Sequence, residues 1–115
     1  MKNFNSLPEF RRELRKLSRK YGTLNDDLEI FKEVLSSSPT GFGKNFTVIH
    51  STEVIKIVKA RMACRSLRDR SLRVIYAYLE REEKVEFIEI YYKGNKENED
   101  RTRIKEYLKS VAGSG

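Results

Sequence analysis

Between Thr40 and Asn45 the hydrophobic period of the chain changes from about 3.6 residues to 2, so helices come first and strands follow. Phe10, Leu14, Leu17 and Tyr21 stand at i, i+4, i+7 and i+11, one apolar stripe, with Arg11, Arg12, Arg15, Lys16, Arg19 and Lys20 on the opposite side. Ser6-Leu7-Pro8-Glu9 predicts a capping box with proline in the first turn, and Gly22 predicts the stop. Thr23 is the expected cap of a second helix, with Asp26 and Asp27 in its first turn and Leu24, Leu28, Phe31 and Leu35 as its stripe. A connection this short makes the two a hairpin.

After the switch, Asn45–Ser51, Val54–Ala63, Leu72–Leu79 and Val85–Tyr92 read as strands, joined closely enough to pair as an antiparallel meander. Phe4 fits a brief edge strand. A third helix is expected over about Glu97–Ala112, with Ile104, Tyr107, Leu108 and Val111 at helical spacing, and 113–115 as a flexible tail. The expected fold is therefore α+β. A helical hairpin packs on a twisted three- to four-stranded antiparallel sheet, with a C-terminal helix, in one domain over residues 1–112.

The net charge of +7 is uneven. Residues 41–78 hold eight basic and two acidic side chains, whereas 79–115 hold eight basic and nine acidic ones. A local excess of that size attracts polyanions. One cysteine, Cys64, excludes an internal disulfide, and one histidine, His50, excludes the usual multi-histidine metal sites. No metal or other cofactor is expected. No apolar run is long enough to cross a membrane, and the N-terminus has no signal-like h-region, so a cytoplasmic setting is expected.

Strand alternation sorts these charges. Val58, Ala60, Met62, Leu72, Val74 and Tyr76 fall on the side that meets the helices, and Lys59, Arg61 and Arg73 converge on the open side. Neither strand carries a carboxylate to interleave with them. In the strand before, Phe46, Val48 and His50 share one side, and Thr47 and Ile49 the other.

With those residues set out, the sequence resembles the RelE/ParE toxin superfamily of bacterial toxin–antitoxin modules. The resemblance lies in Phe10-Arg11-Arg12-Glu13-Leu14-Arg15-Lys16-Leu17, in Val58-Lys59-Ala60-Arg61-Met62, in Ser71-Leu72-Arg73-Val74-Ile75-Tyr76-Ala77 and in Phe87-Ile88-Glu89-Ile90-Tyr91-Tyr92-Lys93, in that order. The family's first strand looks truncated here. The resemblance implies a ribosome-dependent, metal-independent endoribonuclease that cuts mRNA, with a cognate antitoxin as partner. ParE-like members share the fold and act on DNA gyrase. Lys59 and Arg61 match the RelE Lys-x-Lys pair, and Arg73 matches the Arg of the following strand. Lys93 or Lys96 stands for the C-terminal Arg of RelE, and Tyr91, Tyr92 or Tyr107 for its Tyr.

RNA brings its own nucleophile, so cleavage needs a base for the 2′-OH, cations for the phosphorane and an acid for the leaving 5′-oxygen. The catalytic set is read as Lys59, Arg61, Arg73, Lys93 and Tyr91. Like charges beside Lys59 are expected to depress its pKa and fit it for the base. Lys56, Arg65, Arg68, Lys96, Arg12 and Lys16 are read as RNA-binding. The bland alternatives are ordinary surface cations at Lys59 and Arg61, an Arg73 paired with Glu89 or Asp69, a structural His50 and a packed Cys64. Two other functions stay open: a ParE-like gyrase inhibitor, and an RNA-binding module without catalysis.

Overall fold

A computed structural model describes residues 3–68 and 70–113. The chain runs β1 (Asn3–Ser6), α1 (Pro8–Lys20), α2 (Leu24–Ser37), β2 (Phe46–Ser51), β3 (Ile55–Ala63), a 3-10 turn (Arg65–Leu67), β4 (Ser71–Leu79), β5 (Lys84–Tyr92) and α3 (Arg101–Gly113). The strands form one sheet in the order β1-β5-β4-β3-β2. β2 to β5 are the expected antiparallel meander. The sheet is nevertheless five-stranded and mixed, because β1 pairs parallel to β5 and extends the meander by one edge. Phe4 holds β1 there, its ring stacked 6.0 Å from that of Phe87.

Each side of the sheet has its own core. On the first, Phe10 of α1 and Leu24, Leu28, Phe31 and Leu35 of α2 bury Val58, Ala60, Met62, Leu72, Val74, Tyr76 and Phe87. That is the expected pairing of the hairpin with alternate strand residues. Tyr76 is fully buried and donates its hydroxyl hydrogen to the Pro39 carbonyl at 2.8 Å. On the second side, Ile104 and Tyr107 of α3 cover Ile55, Ile57, Ile75, Ala77, Leu79 and Ile88. The second side is thus half covered, not open as alternation alone implies.

Three local expectations are corrected. Ser6 does not cap α1: it is drawn into β1 opposite Phe87, and Leu7 takes the cap position. Thr23 holds the cap position of α2, but its hydroxyl donates to Asp27 Oδ2 at 2.7 Å and accepts from the Ser66 amide at 3.0 Å. α3 starts at Arg101, four residues late, because Asp100 caps it: the Arg103 amide donates to Asp100 Oδ1 at 3.0 Å. Gly113 closes α3, whereas Ser114 and Gly115 of the expected tail lie outside the described residues.

Two β-bulges break the alternation. On β2, Val48 faces Val58 and His50 faces Ile57, so Ile49 is an extra residue. On β5, Phe87 faces Tyr76 and Glu89 faces Ile75, so Ile88 is extra. A bulge turns every later side chain of its strand to the other side of the sheet.

Candidate nucleic-acid interface

Arg61 and Arg73 stand directly opposite each other across the β3–β4 ladder, and residues so paired share a side of the sheet. Lys59 lies two residues before Arg61 on the same side, opposite Thr47 of β2. Lys93, just beyond β5, completes the group. These four cations line one cleft of about 320 Å³, together with Lys44, Asn45, Thr47, Ile49 and Glu99. A shallower groove of about 430 Å³ continues past Arg61, Arg73 and Lys93 to Arg70, Ser71 and Tyr92. The cations thus form a track rather than a spot.

Two of them are held in place. Arg73 donates from Nη1 to Ser71 Oγ at 2.9 Å, its own strand fixing the guanidinium. Glu89 is bound elsewhere and Asp69 lies outside the described residues, so neither is seen pairing with Arg73. Lys59 donates from Nζ to Glu99 Oε1 at 2.9 Å. Glu99 belongs to the segment between β5 and α3, and its side chain is 9% exposed.

That carboxylate reverses the expectation for Lys59. The bond to Glu99 raises the lysine's pKa, outweighing the burial that would lower it. Burial pushes the Glu99 carboxyl up, but the Lys59 ammonium and the neighbouring Arg101 together hold it below its ordinary value. Lys59 is therefore a protonated electrostatic group, not a ready base. The opposite charge of Glu99, hydrogen-bonded at 2.9 Å, sets the charge state of the lysine.

The loop that carries Glu99 is itself anchored. Glu89, fully buried, accepts the Asp100 amide at 2.8 Å and pairs with Lys96. Its side of the sheet is set by the bulge at Ile88, which also turns Tyr91 toward Arg73. Tyr91 is buried beneath the cleft rather than lining it, and its hydroxyl meets no partner at full hydrogen-bonding geometry among the described residues. Burial raises its pKa, with the Lys59 charge pulling the other way. Lys96 lies 5.4 Å from the centre of the Tyr91 ring.

The remaining expected RNA contacts do not join the cleft. Lys56 pairs with Tyr78 on the helix side of the sheet. Arg65 is tied by Nε to buried Asp27 at 2.7 Å. Arg68 is exposed at the turn after Leu67, with φ 55°. Arg12 and Lys16 are exposed on α1, which covers the other side. Lys96 is spent on Glu89. Cys64 is a buried packed thiol whose pKa burial pushes up. Glu99 left no local signal in the sequence, since its partner lies 40 residues away. Lys44 and Arg70 carried only the general excess of charge.

Among the described residues no group of three histidine, cysteine, aspartate or glutamate side chains is placed to hold a metal ion. Nor is any helix long and apolar enough to cross a membrane. No protein-family model matches the sequence, and no curated relative does. The structure does match a chain of the crystal structure of the archaeal RelE–RelB complex from Pyrococcus horikoshii OT3. The TM-score is 0.62 at 17% identity, over 81% of this chain and 96% of that one. A helical hairpin on one side of the sheet, and a cation track on the other, are thus set in a RelE-like fold.

Proposed function

We propose that this chain is the toxin of a toxin–antitoxin pair and that its cleft holds the backbone of translated mRNA for cleavage. The observation that carries the reading is the convergence of Lys59, Arg61, Arg73 and Lys93, from three segments of sequence, on one cleft. The RelE-like fold adds to it, and the matched complex of RelE with RelB supports an antitoxin partner. Arg61 and Arg73 grip non-bridging phosphate oxygens. The 2′-hydroxyl gives up its proton to solvent water as its oxygen attacks phosphorus, the bond to the 5′-oxygen breaks, and a 2′,3′-cyclic phosphate and a 5′-hydroxyl result. Lys59, kept protonated by Glu99, stabilises the phosphorane charge, and Lys93 donates a proton to the leaving oxygen. Tyr91 supports the site from beneath. No cofactor enters this scheme.

The test is cleavage of mRNA on translating ribosomes by purified protein. Cut ends are expected with the wild type and should vanish in Arg61→Ala/Arg73→Ala, along with growth arrest. An equally toxic double variant refutes the site. A second reading, RNA binding without cleavage, is favoured by one observation: the lysine best placed to act as base is already paired. It gives a steep salt dependence of binding and no cut ends. Inhibited supercoiling without ribosomes points instead to a gyrase inhibitor.

A further inference from the structure

Beside the cation cleft lies a second groove, of about 600 Å³, between the end of β2 and α3. Ile49, Ile104 and Leu108 form its apolar wall, and His50, Arg101 and Lys105 stand at its rim. It shares Ile49 and Glu99 with the cleft, so the two are contiguous. Strict alternation would send His50 to the side of Phe46 and Val48. The bulge instead sets His50 opposite Ile57, on the side of Lys59, so that Ile49 and His50 both border the groove. Ile49, 37% exposed, lines both the cleft and the groove, which makes it an apolar side chain open to a bound group on either side.

We infer that this groove is a nucleobase slot: the base next to the phosphate held by Lys59, Arg61 and Arg73 lies against Ile49 and Leu108, with His50 at its edge. The inference rests on the RNA reading above and adds the element that phosphate contacts cannot supply, a contact with the base. Volume and chemistry agree with it. Ligand pockets run from about 300 to 1,000 Å³ with mostly apolar walls and a few polar groups. An apolar wall edged by Arg101 and Lys105, with the Glu99 carboxylate on the shared border paired to Lys59, and opening onto a phosphate site, complements a flat base on an anionic backbone.

The experiment uses the full chain and short single-stranded RNAs blocked by 2′-O-methylation, with 2-aminopurine at successive positions and matched RNAs abasic at each. One position should change aminopurine fluorescence on binding. Removing the base there should weaken binding about five- to tenfold with an unchanged salt slope. Ile49→Asn should abolish the fluorescence change and weaken the intact RNA to the level of the abasic one. The abasic comparison on the wild type needs no substitution and stands whether or not the variant folds. Equal affinity of intact and abasic RNAs at every position, with binding still reduced by Arg61→Ala/Arg73→Ala, overturns the slot and leaves the cleft standing. Binding indifferent to those arginines overturns both.

Discussion

At the residue scale the decisive pair is Lys59 and Glu99. The pair keeps both groups charged across the neutral range. Glu99, with its folded pKa lowered, contributes stability that is complete above its ordinary 4.5 and lost as the pH falls. Lys59, with its pKa raised, contributes below its ordinary 10.5 and loses it as the pH rises through the folded value. In Glu99→Gln the lysine's pKa should drop, read by nitrogen NMR of the ammonium. The same variant should bind inorganic phosphate more tightly, because an anion no longer competes with the carboxylate. An unmoved pKa would mean that Lys59 takes its charge state from elsewhere. Tyr91 yields the opposite kind of expectation. Its buried hydroxyl meets no partner at full hydrogen-bonding geometry among the described residues and has only a weak interaction with the Lys59 ammonium, so Tyr91→Phe should change the melting temperature little. A marked loss of stability would show that the hydroxyl has a stronger partner.

At the scale of elements, the molecule depends on a polar clamp that no periodicity announces. Asp27 of α2, 5% exposed, receives the Thr23 hydroxyl, the Arg65 guanidinium and the Arg65 amide. It thereby pins the 3-10 turn to the helical hairpin. Burial works against the charged form, but these donors hold the carboxyl below its ordinary value. Asp27→Asn should cost about 1–3 kcal/mol at pH 7 by urea unfolding, as a charged acceptor is lost. A carboxylate with a depressed folded pKa stabilises above its unfolded value of 3.8 and loses that contribution below it. The gap between wild type and variant should therefore close as the pH falls toward 3. A gap that persists in acid would assign the effect to packing.

At the scale of the whole molecule, one ion pair joins the two sides. β1 covers β5 only from Lys84 to Phe87, leaving the rest of that edge without a strand. Glu13 of α1 accepts the Ile90 amide at 3.3 Å, and Arg103 of α3 donates to the Ile88 carbonyl at 2.9 Å. The two side chains then meet in a forked pair, both bonds 2.9 Å. They stand in for the missing length of strand. Arg103→Met should lower stability by about 2 kcal/mol, since it strands a carboxylate and a carbonyl. It should also bring concentration-dependent self-association through the bared edge, seen by light scattering. A variant that stays monomeric would show that Glu13 protects the edge unaided.

Much of this could be read from the amino-acid order alone. Helical spacing at Phe10 to Leu35, and alternation from Val58 to Tyr76, set the hairpin against the right side of the sheet, because burial of apolar side chains follows backbone period. The same alternation brought Lys59, Arg61 and Arg73 together. What it could not supply was decided in three dimensions. One extra residue in β2 and one in β5 choose the sides on which His50, Glu89 and Tyr91 emerge, and a pattern of period 2 has no mark for where it skips. Glu99 reaches Lys59 only because the chain returns over the sheet before α3. Contacts between residues so far apart in sequence depend on closure of the whole fold, which is why the charge state of the cleft belongs to the tertiary structure.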